Sequence, residues 1–168
     1  ILNLSGDLKI GLNSRIVANT VVDDVEFNFT GAGDGFTDNT TQTIDVKNPA
    51  TASNITFNVN SGAYVKLINQ DLALGTNSKF NVLSGGVLDF GFNETTALNI
   101  VRVTTPTVSA QQNFTASSSS TLKITSPDGI SNGNSVYTGN VQIGSSATNR
   151  VFYPGATYHY IGKATQVT

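Results

Sequence analysis

Apolar and polar residues alternate along most of this chain, and Gly, Asn, Asp and Ser interrupt the alternation every few residues. In ITFNV (55–59), β-branched and aromatic side chains occupy one face while Thr and Asn occupy the other. This two-residue period is typical of strands half buried in a sheet, and almost no stretch shows a helical period. The clearest predicted strands are residues 8–10, 25–29, 55–59, 64–68, 80–83, 87–90, 98–103, 122–124 and 141–143.

Internal repetition accompanies the alternation. The segment DLKIGLNSRI (7–16) aligns without gaps on DLALGTNSKF (71–80), 64 residues later, and GNVQIG (139–144) is a weaker third copy. At a finer scale, Ser-Gly-Ala (61–63) and Ser-Gly-Gly (84–86) lie 23 residues apart. A spacing of this size is typical of one coil of a solenoid.

These patterns together predict an all-β fold, a right-handed parallel β-helix or β-solenoid of roughly seven coils. Glycine in the Ser-Gly corners can take a positive φ where the chain passes from one sheet to the next. We expect residues 1–168 to form one β-solenoid segment of a longer repeat protein. The same alternation leaves an antiparallel β-sandwich open as the alternative fold.

The composition restricts the classes of partner. Apolar residues make up only 38% of the 168 residues, which favours a thin, elongated core. Charged residues make up 12%, with a net charge of −2, so no basic surface exists for nucleic acid or an anionic membrane. The absence of cysteine excludes disulfides and thiolate metal sites, and no apolar run approaches the roughly 20 residues that membrane insertion requires.

Residues with catalytic potential are few and scattered. Six of the eleven acidic residues fall between Asp23 and Asp45, without a basic partner that would form a hydrolase or lyase site. His159 is the only histidine, and no nucleophile motif accompanies it. The sequence therefore predicts a protein that is not an enzyme and that uses no cofactor.

Two groups of residues remain as candidate binding sites. Asp34 and Asp38 lie in a glycine-rich loop that offers oxygen ligands to calcium, although a plain acidic turn is the favoured interpretation. The aromatic residues Phe152, Tyr153, Tyr158 and Tyr160 crowd the C-terminal region and are candidate glycan contacts, because exposed rings stack on sugar faces. The competing and favoured interpretation is that these rings form an inward row or cover the end of the coil stack.

Several segments carry a family resemblance, and their order is more specific than any one of them. They are VEFNFTG (25–31), TQTI (41–44), NITFNVNSGA (54–63) with Val65 and Leu67, VLSGGVL (82–88), TLKI (121–124), PDGI (127–130), PGATYHY (154–160) and QVT (166–168). This arrangement resembles one repeat, and the segment that follows it, of the β-strand-repeat surface proteins of Bacteroidetes.

The resemblance implies a long, secreted, extracellular cell-surface protein of the type IX-secreted kind that serves in adhesion or filament building. We therefore expect a structural stalk or filament segment of a bacterial adhesin, with a carbohydrate-binding adhesin module as the alternative. Strand-like residues at both ends of the sequence predict that the segment associates end to end or stacks on further coils of the same chain. Glycans are the other expected partners.

Overall fold

The computed structural model describes residues 1–10, 16–17, 25–31, 41–46, 50–75, 77–91, 102–105, 114–130, 139–143, 150–163 and 165–166. These residues form short β-strands and contain no helix. In chain order the strands are β1 (Leu2–Leu4), β2 (Leu8–Ile10), β3 (Ile16–Val17), β4 (Val25–Phe29), β5 (Gln42–Val46), β6 (Ala50–Ser53), β7 (Ile55–Val59), β8 (Tyr64–Asn69), β9 (Leu72–Leu74), β10 (Lys79–Val82), β11 (Val87–Phe90), β12 (Val103–Thr105), β13 (Phe114–Ala116), β14 (Thr121–Ile124), β15 (Val141–Ile143), β16 (Arg150–Phe152) and β17 (Thr157–Tyr160).

The strands form three parallel sheets, and within each sheet a strand pairs with the strand three places further along the chain. Sheet A has the order β1-β4-β7-β10-β13-β16, sheet B the order β2-β5-β8-β11-β14-β17, and sheet C the order β3-β6-β9-β12-β15. Every pairing between described strands is parallel. The all-β prediction is confirmed, and the antiparallel sandwich is wrong because hairpin-connected neighbours do not pair.

Consecutive strands can be grouped into layers, each contributing one strand to each sheet. Layers 1 to 5 contain three strands each, starting at β1, β4, β7, β10 and β13, and layer 6 contains β16 and β17. The described strands therefore do not reach the predicted count of roughly seven coils. The spacing between equivalent residues of sheet A is 25, 30 and 23 residues over layers 1 to 4. The 23-residue spacing between the Ser-Gly corners belongs to the shortest of these steps.

The 64-residue sequence repeat joins strands of different sheets. Its first copy contains β2, in sheet B, whereas its second and third copies contain β9 and β15, in sheet C. The three copies instead share a local hydrogen-bonding pattern. In each copy, the side chain of the residue before the strand accepts a hydrogen bond from a backbone N–H. The bonds run from Thr43 to Asp7, from Arg102 to Asp71, and from Thr125 and Ser126 to Asn140.

The inward face of sheet A contributes a row of aromatic rings to the core. Phe27, Phe57, Phe80 and Phe114 stand in register on successive strands. Their ring centroids lie 5.6, 5.8 and 6.1 Å apart in stacked geometry. Inward residues of the other sheets, such as Leu67 and Leu72, are fully buried beside them. Each sheet thus contributes a single layer of inward side chains to the core, in agreement with an apolar content of only 38% for the whole chain.

The corners between sheets A and B repeat one turn. In the turns at 60–63, 83–86, 117–120 and 153–156 the fourth residue donates its N–H to the carbonyl of the first. The third residue has a positive φ in each turn, as type II turns require, which confirms the predicted role of the Ser-Gly corners. These third residues also bond to one another through their backbones between layers, in the order Gly62, Gly85, Ser119 and Gly155.

Several predicted strands lie where expected, and others were missed. Residues 8–10, 25–29, 55–59, 87–90 and 141–143 match observed strands, 64–68 and 122–124 differ by one residue at one end, and 80–83 is shifted by one residue from β10. In place of the predicted strand 98–103, the structure has β12, which starts at Val103; residues 98–101 lie outside the described part. The observed strands that were not among the clearest predictions are β1, β3, β5, β6, β9, β13, β16 and β17.

Candidate functional site

The four candidate aromatic residues near the C-terminus do not form one exposed row. Phe152 and Tyr158 are half buried against the core, with ring centroids 6.4 Å apart in edge contact. Phe152 also contacts Phe114 at 5.9 Å, so it extends the inward aromatic row into layer 6. Tyr153 and Tyr160 remain exposed, at 49% and 36%. Any sugar contact at this end therefore rests on these two tyrosines.

The positions of Tyr153 and Tyr160 follow from their layer. Tyr153 is the first residue of the corner turn 153–156, a position from which the side chain extends outward. Tyr160 stands in register with Ile124, and sheet B has no described strand beyond β17 to cover it. Burial raises the pKa of the Tyr158 phenol, and the neighbouring Tyr160 raises it further. Tyr158 therefore stays neutral, which suits its place against the core.

The other candidate residues give no assembled site. Asp34 and Asp38, the calcium candidates, lie outside the described residues. His159 is exposed on the outward face of sheet B, in register with Lys123. In the part of the chain that the structure describes, no group of three His, Cys, Asp or Glu side chains converges on a metal position. Nor do the described residues include a helix with the length and apolarity to span a bilayer.

A polar cluster on the outward face of sheet B escaped sequence analysis. The Tyr64 hydroxyl donates to Oδ2 of Asp89 at 2.6 Å and accepts from Nζ of Lys123 at 2.9 Å. The Lys123 ammonium also lies 4.7 Å from the centre of the Tyr64 ring. The cluster joins three consecutive strands of sheet B, namely β8, β11 and β14.

The electrostatics of this cluster favour a fixed arrangement over a reactive one. Burial raises the pKa of the Tyr64 phenol, and the hydrogen bond to Asp89 and the charge of Asp89 raise it further. Tyr64 is buried, and among the described residues Oδ1 of Asp89 has no hydrogen-bond partner although it is buried too. A phenol held neutral in this way is a poor general base. The geometry therefore ties neighbouring layers together and presents no activated group.

A second unpredicted feature is a row of asparagine side chains on the outward face of sheet A. Asn28 donates from Nδ2 to Oδ1 of Asn3 at 3.2 Å, Asn58 donates to Asn28 at 2.8 Å, and Asn81 donates to Asn58 at 2.9 Å. The sequence signal was the recurrence of Asn between two apolar residues, in LNL (2–4), FNF (27–29), FNV (57–59) and FNV (80–82). We call these four residues the asparagine row.

Sheet C contributes one ion pair near the surface. Nη1 of Arg102 lies 3.6 Å from Oδ2 of Asp71, and both side chains are about one-third exposed. Burial raises the pKa of the Asp71 carboxyl, while the charge and hydrogen bonds of Arg102 act in the opposite direction. An exposed pair of this kind contributes little to stability. Together with the bond from the Arg102 N–H to Asp71, it joins the residue before β12 to the residue before β9.

Comparisons with known proteins leave the family open. No protein-family model, curated protein or solved structure matches the chain.

Proposed function

We propose that the chain is a structural segment of a secreted bacterial cell-surface adhesin, folded as a right-handed parallel β-helix. The observation that carries the proposal is the strand order, in which every third strand joins the same sheet. A chain that winds once around three sheets per layer produces this order, and right-handed crossovers are the rule for parallel strands. The result is a rod whose length grows with the number of layers.

The surface chemistry supports a structural role without catalysis. Outward positions of the described strands carry mainly Asn, Thr and Lys, and the polar cluster of Tyr64, Asp89 and Lys123 joins layers together. The resemblance to the β-strand-repeat surface proteins of Bacteroidetes supports extracellular placement on the cell surface. On this proposal the chain performs no catalysis and needs no cofactor.

The two edges of the described sheets suggest how such a segment extends. Among the described strands, β1 and β2 pair on one side only, as do β16 and β17. At the first edge Ile1 is 83% and Leu2 is 50% exposed. Unpaired parallel edges with apolar residues invite further pairing. We propose that another copy, or further coils of the same chain, pairs with these edges.

The decisive experiment is electron microscopy and fibre diffraction of the purified chain. We expect rods with a repeat of about 4.8 Å along their axis, which is the strand spacing. Compact particles that lack this repeat would contradict the solenoid proposal.

End-to-end association is tested separately by sedimentation velocity over a range of concentrations. We expect the wild-type chain to associate and Ile1→Lys/Leu2→Lys to remain monomeric, because the added charges face the open edge. Leu83→Lys is the matched control, since Leu83 is 37% exposed at a corner and not at an edge. A wild-type chain that stays folded and monomeric at high concentration would refute self-stacking.

The second candidate function is carbohydrate binding, and the exposure of Tyr153 and Tyr160 favours it. Exposed aromatic rings provide the flat apolar surfaces on which sugar rings stack. A glycan array with the wild-type chain and Tyr153→Ala/Tyr160→Ala tests it. If the two tyrosines form the contact, the double substitution abolishes binding, whereas Tyr64→Phe, which alters a buried ring, leaves it intact. An array without any bound glycan would exclude this candidate.

A further inference from the structure

The asparagine row differs from the rest of the surface in its regularity. Its four amides are linked head to tail across sheet A, and each belongs to the last but one residue of its strand. Asn3 is exposed, and Asn28, Asn58 and Asn81 are partly exposed. The rungs follow one another at the strand spacing of about 4.8 Å. The row therefore presents identical polar groups at equal intervals along the stacking direction.

Each amide in the row retains hydrogen-bonding capacity. An asparagine side chain offers two N–H donors and two acceptor positions on its oxygen. For the central rungs, Asn28 and Asn58, the bonds to the neighbouring rungs use one donor and one acceptor position. With respect to the rest of the described residues, one donor and one acceptor position are left on each. Because its neighbours hold each amide in place, a ligand would not have to order these side chains on binding.

The flanks of the row point to an uncharged ligand. Two residues before the row on each strand, Thr56 has Glu26 as its register partner on one neighbouring strand and Lys79 on the other. The opposite charges of Glu26 and Lys79 balance there. On the other side Thr30, Asn60 and Leu83 continue the same three strands past the row. The described flanks therefore carry no net charge, and they give a charged polymer no electrostatic advantage.

The direction of the row distinguishes a glycan from a peptide. The row crosses the strands, whereas an added peptide strand would lie parallel to them at a sheet edge. An extended peptide also repeats about every 3.3 Å, which does not match a spacing of about 4.8 Å. In an extended polysaccharide, the interval from one sugar to the next is longer than the interval between peptide residues. Sugar hydroxyl groups also both donate and accept hydrogen bonds, which matches the remaining donor and acceptor positions of the amides.

We propose that the asparagine row binds an extended, neutral polysaccharide that lies along the stacking direction on sheet A. This inference rests on the second candidate function, carbohydrate binding, but it assigns the contact to Asn28, Asn58 and Asn81 instead of the C-terminal tyrosines. One sugar unit would face about one layer. The structural segment would then carry an adhesive surface along its length.

The test measures binding of linear β-1,4-linked glucose and mannose oligosaccharides, from two to six units, by isothermal titration calorimetry. The row is removed in Asn28→Val/Asn58→Val/Asn81→Val, a change that the sheet accommodates because Val151 already occupies the equivalent position in layer 6. The control, Thr43→Val/Thr121→Val/Thr157→Val, makes the same number of outward changes on sheet B. Circular dichroism and thermal unfolding confirm that both variants are folded.

We expect wild-type affinity to rise with oligosaccharide length and the row variant to bind at least about tenfold more weakly, the effect of losing one or two net hydrogen bonds. The sheet B control should stay within about twofold of the wild type. An oligogalacturonate of six units should bind more weakly than its neutral counterparts. Single Asn58→Val, in the centre of the row, provides a second readout that leaves the other rungs in place.

Two results would overturn the proposal in distinguishable ways. Binding that survives in the row variant but disappears in Tyr153→Ala/Tyr160→Ala would reject the asparagine row and keep carbohydrate binding at the C-terminal tyrosines. A folded wild-type chain that binds none of the oligosaccharides at millimolar concentration would reject the row, and a negative glycan array would reject the second candidate function with it.

Discussion

Ser119 adopts a backbone conformation that its side chain disfavours. Its φ is 61°, and the equivalent residues of the neighbouring corner turns are Gly62, Gly85 and Gly155. A left-handed conformation costs an L-residue about 1–2 kcal/mol, whereas glycine costs roughly 0.5–1 kcal/mol in added chain entropy. We expect Ser119→Gly to raise the free energy of unfolding by about 0.5 kcal/mol, measured by urea denaturation.

The neighbouring serine supplies the control for this prediction. Ser118 precedes Ser119 in the same turn and does not have a positive φ. Ser118→Gly gains no conformational relief and should lower the free energy of unfolding by about 0.5–1 kcal/mol. If both substitutions destabilise the chain equally, the left-handed conformation at position 119 is not the cause of the difference.

Tyr64 makes the stability of the folded chain fall at alkaline pH. Burial and Asp89 raise the pKa of its phenol above the usual value of about 10. The folded chain therefore holds this proton more tightly than the unfolded chain. Stability from this group is complete below about pH 10 and is lost as the pH rises from there through the raised pKa.

Denaturation at several pH values between neutral and strongly alkaline checks this expectation. Tyr64→Phe should remove the part of the alkaline loss that belongs to this phenol. Asp89→Asn should reduce that part without abolishing it, because burial remains as the largest cause of the raised pKa. Parallel curves for the wild type and Tyr64→Phe would refute the coupling.

At the level of the structural element, a buried glutamine joins two layers at the start of sheet B. Gln42 accepts from the N–H of Gly31 at 2.8 Å through Oε1, and its Nε2 donates to the carbonyls of Leu4 and Gly6 at 2.8 and 3.0 Å. The side chain is 2% exposed. Without it, the Leu4 carbonyl keeps the N–H of Thr30, whereas the Gly31 N–H and the Gly6 carbonyl lose this bond, at a cost of roughly 1–3 kcal/mol for each group left without a partner.

We expect Gln42→Ala to lower the free energy of unfolding by about 3 kcal/mol, measured by chemical denaturation. Gln42→Met keeps the volume and removes the hydrogen bonds, so it should destabilise the chain nearly as much. Much greater stability of Gln42→Met would show that packing, and not the amide, holds the two layers together.

A second glutamine with the same bonding pattern provides a matched control. Gln166 accepts from the N–H of Gly162 at 2.7 Å and donates to the carbonyls of Ile124 and Ser126 at 3.0 and 2.9 Å. It is only partly buried, so water can replace its bonds. Gln166→Ala should therefore cost about 1 kcal/mol.

Strands could be predicted from the sequence where the alternation was long. The side-chain hydrogen bonds between layers could not be predicted. ITFNV (55–59) contains three inward apolar residues and was located, whereas FTA (114–116) is too short for its alternation to stand out. The side chains of Gln42 and Tyr64 bond to residues 36 and 25 positions away, respectively, and a local pattern contains no information about such partners. The asparagine row was visible as a recurring Asn between apolar residues, but only the register shows that these amides align.

At the level of the whole molecule, unequal spacing between layers explains why the coil count could not be predicted. Equivalent residues of sheet A lie between 23 and 30 residues apart over layers 1 to 4. The next step, from Phe80 to Phe114, takes 34 residues. The strands keep their register while the segments between them differ in length, so the sequence has no single period. Among the C-terminal rings, Phe152 and Tyr158 pack against the core, Tyr160 stands in register with the buried Ile124 in the last described layer, and Tyr153 is exposed at a corner.

Stacked layers also predict an uneven distribution of stability. Backbone pairing joins each layer only to its neighbours, so β1, with one partner among the described strands, should open more readily than β7, which has two. Hydrogen exchange monitored by mass spectrometry should show rapid exchange at Leu2–Leu4 and strong protection at Ile55–Val59. Uniform protection of the two strands would contradict a nearest-neighbour architecture.

A core substitution makes the same prediction sharper. Phe80 lies between the rings of Phe57 and Phe114, and its loss should cost about 3–5 kcal/mol. In Phe80→Ala the lost protection should be greatest in β7, β10 and β13, because the missing ring contacts belong to those strands, and smaller in β1. Leu83→Ala, an exposed change one residue beyond β10, should leave the pattern unaltered. An equal loss in every layer would mean that the layers unfold as one cooperative unit, and would contradict an uneven distribution of stability among them.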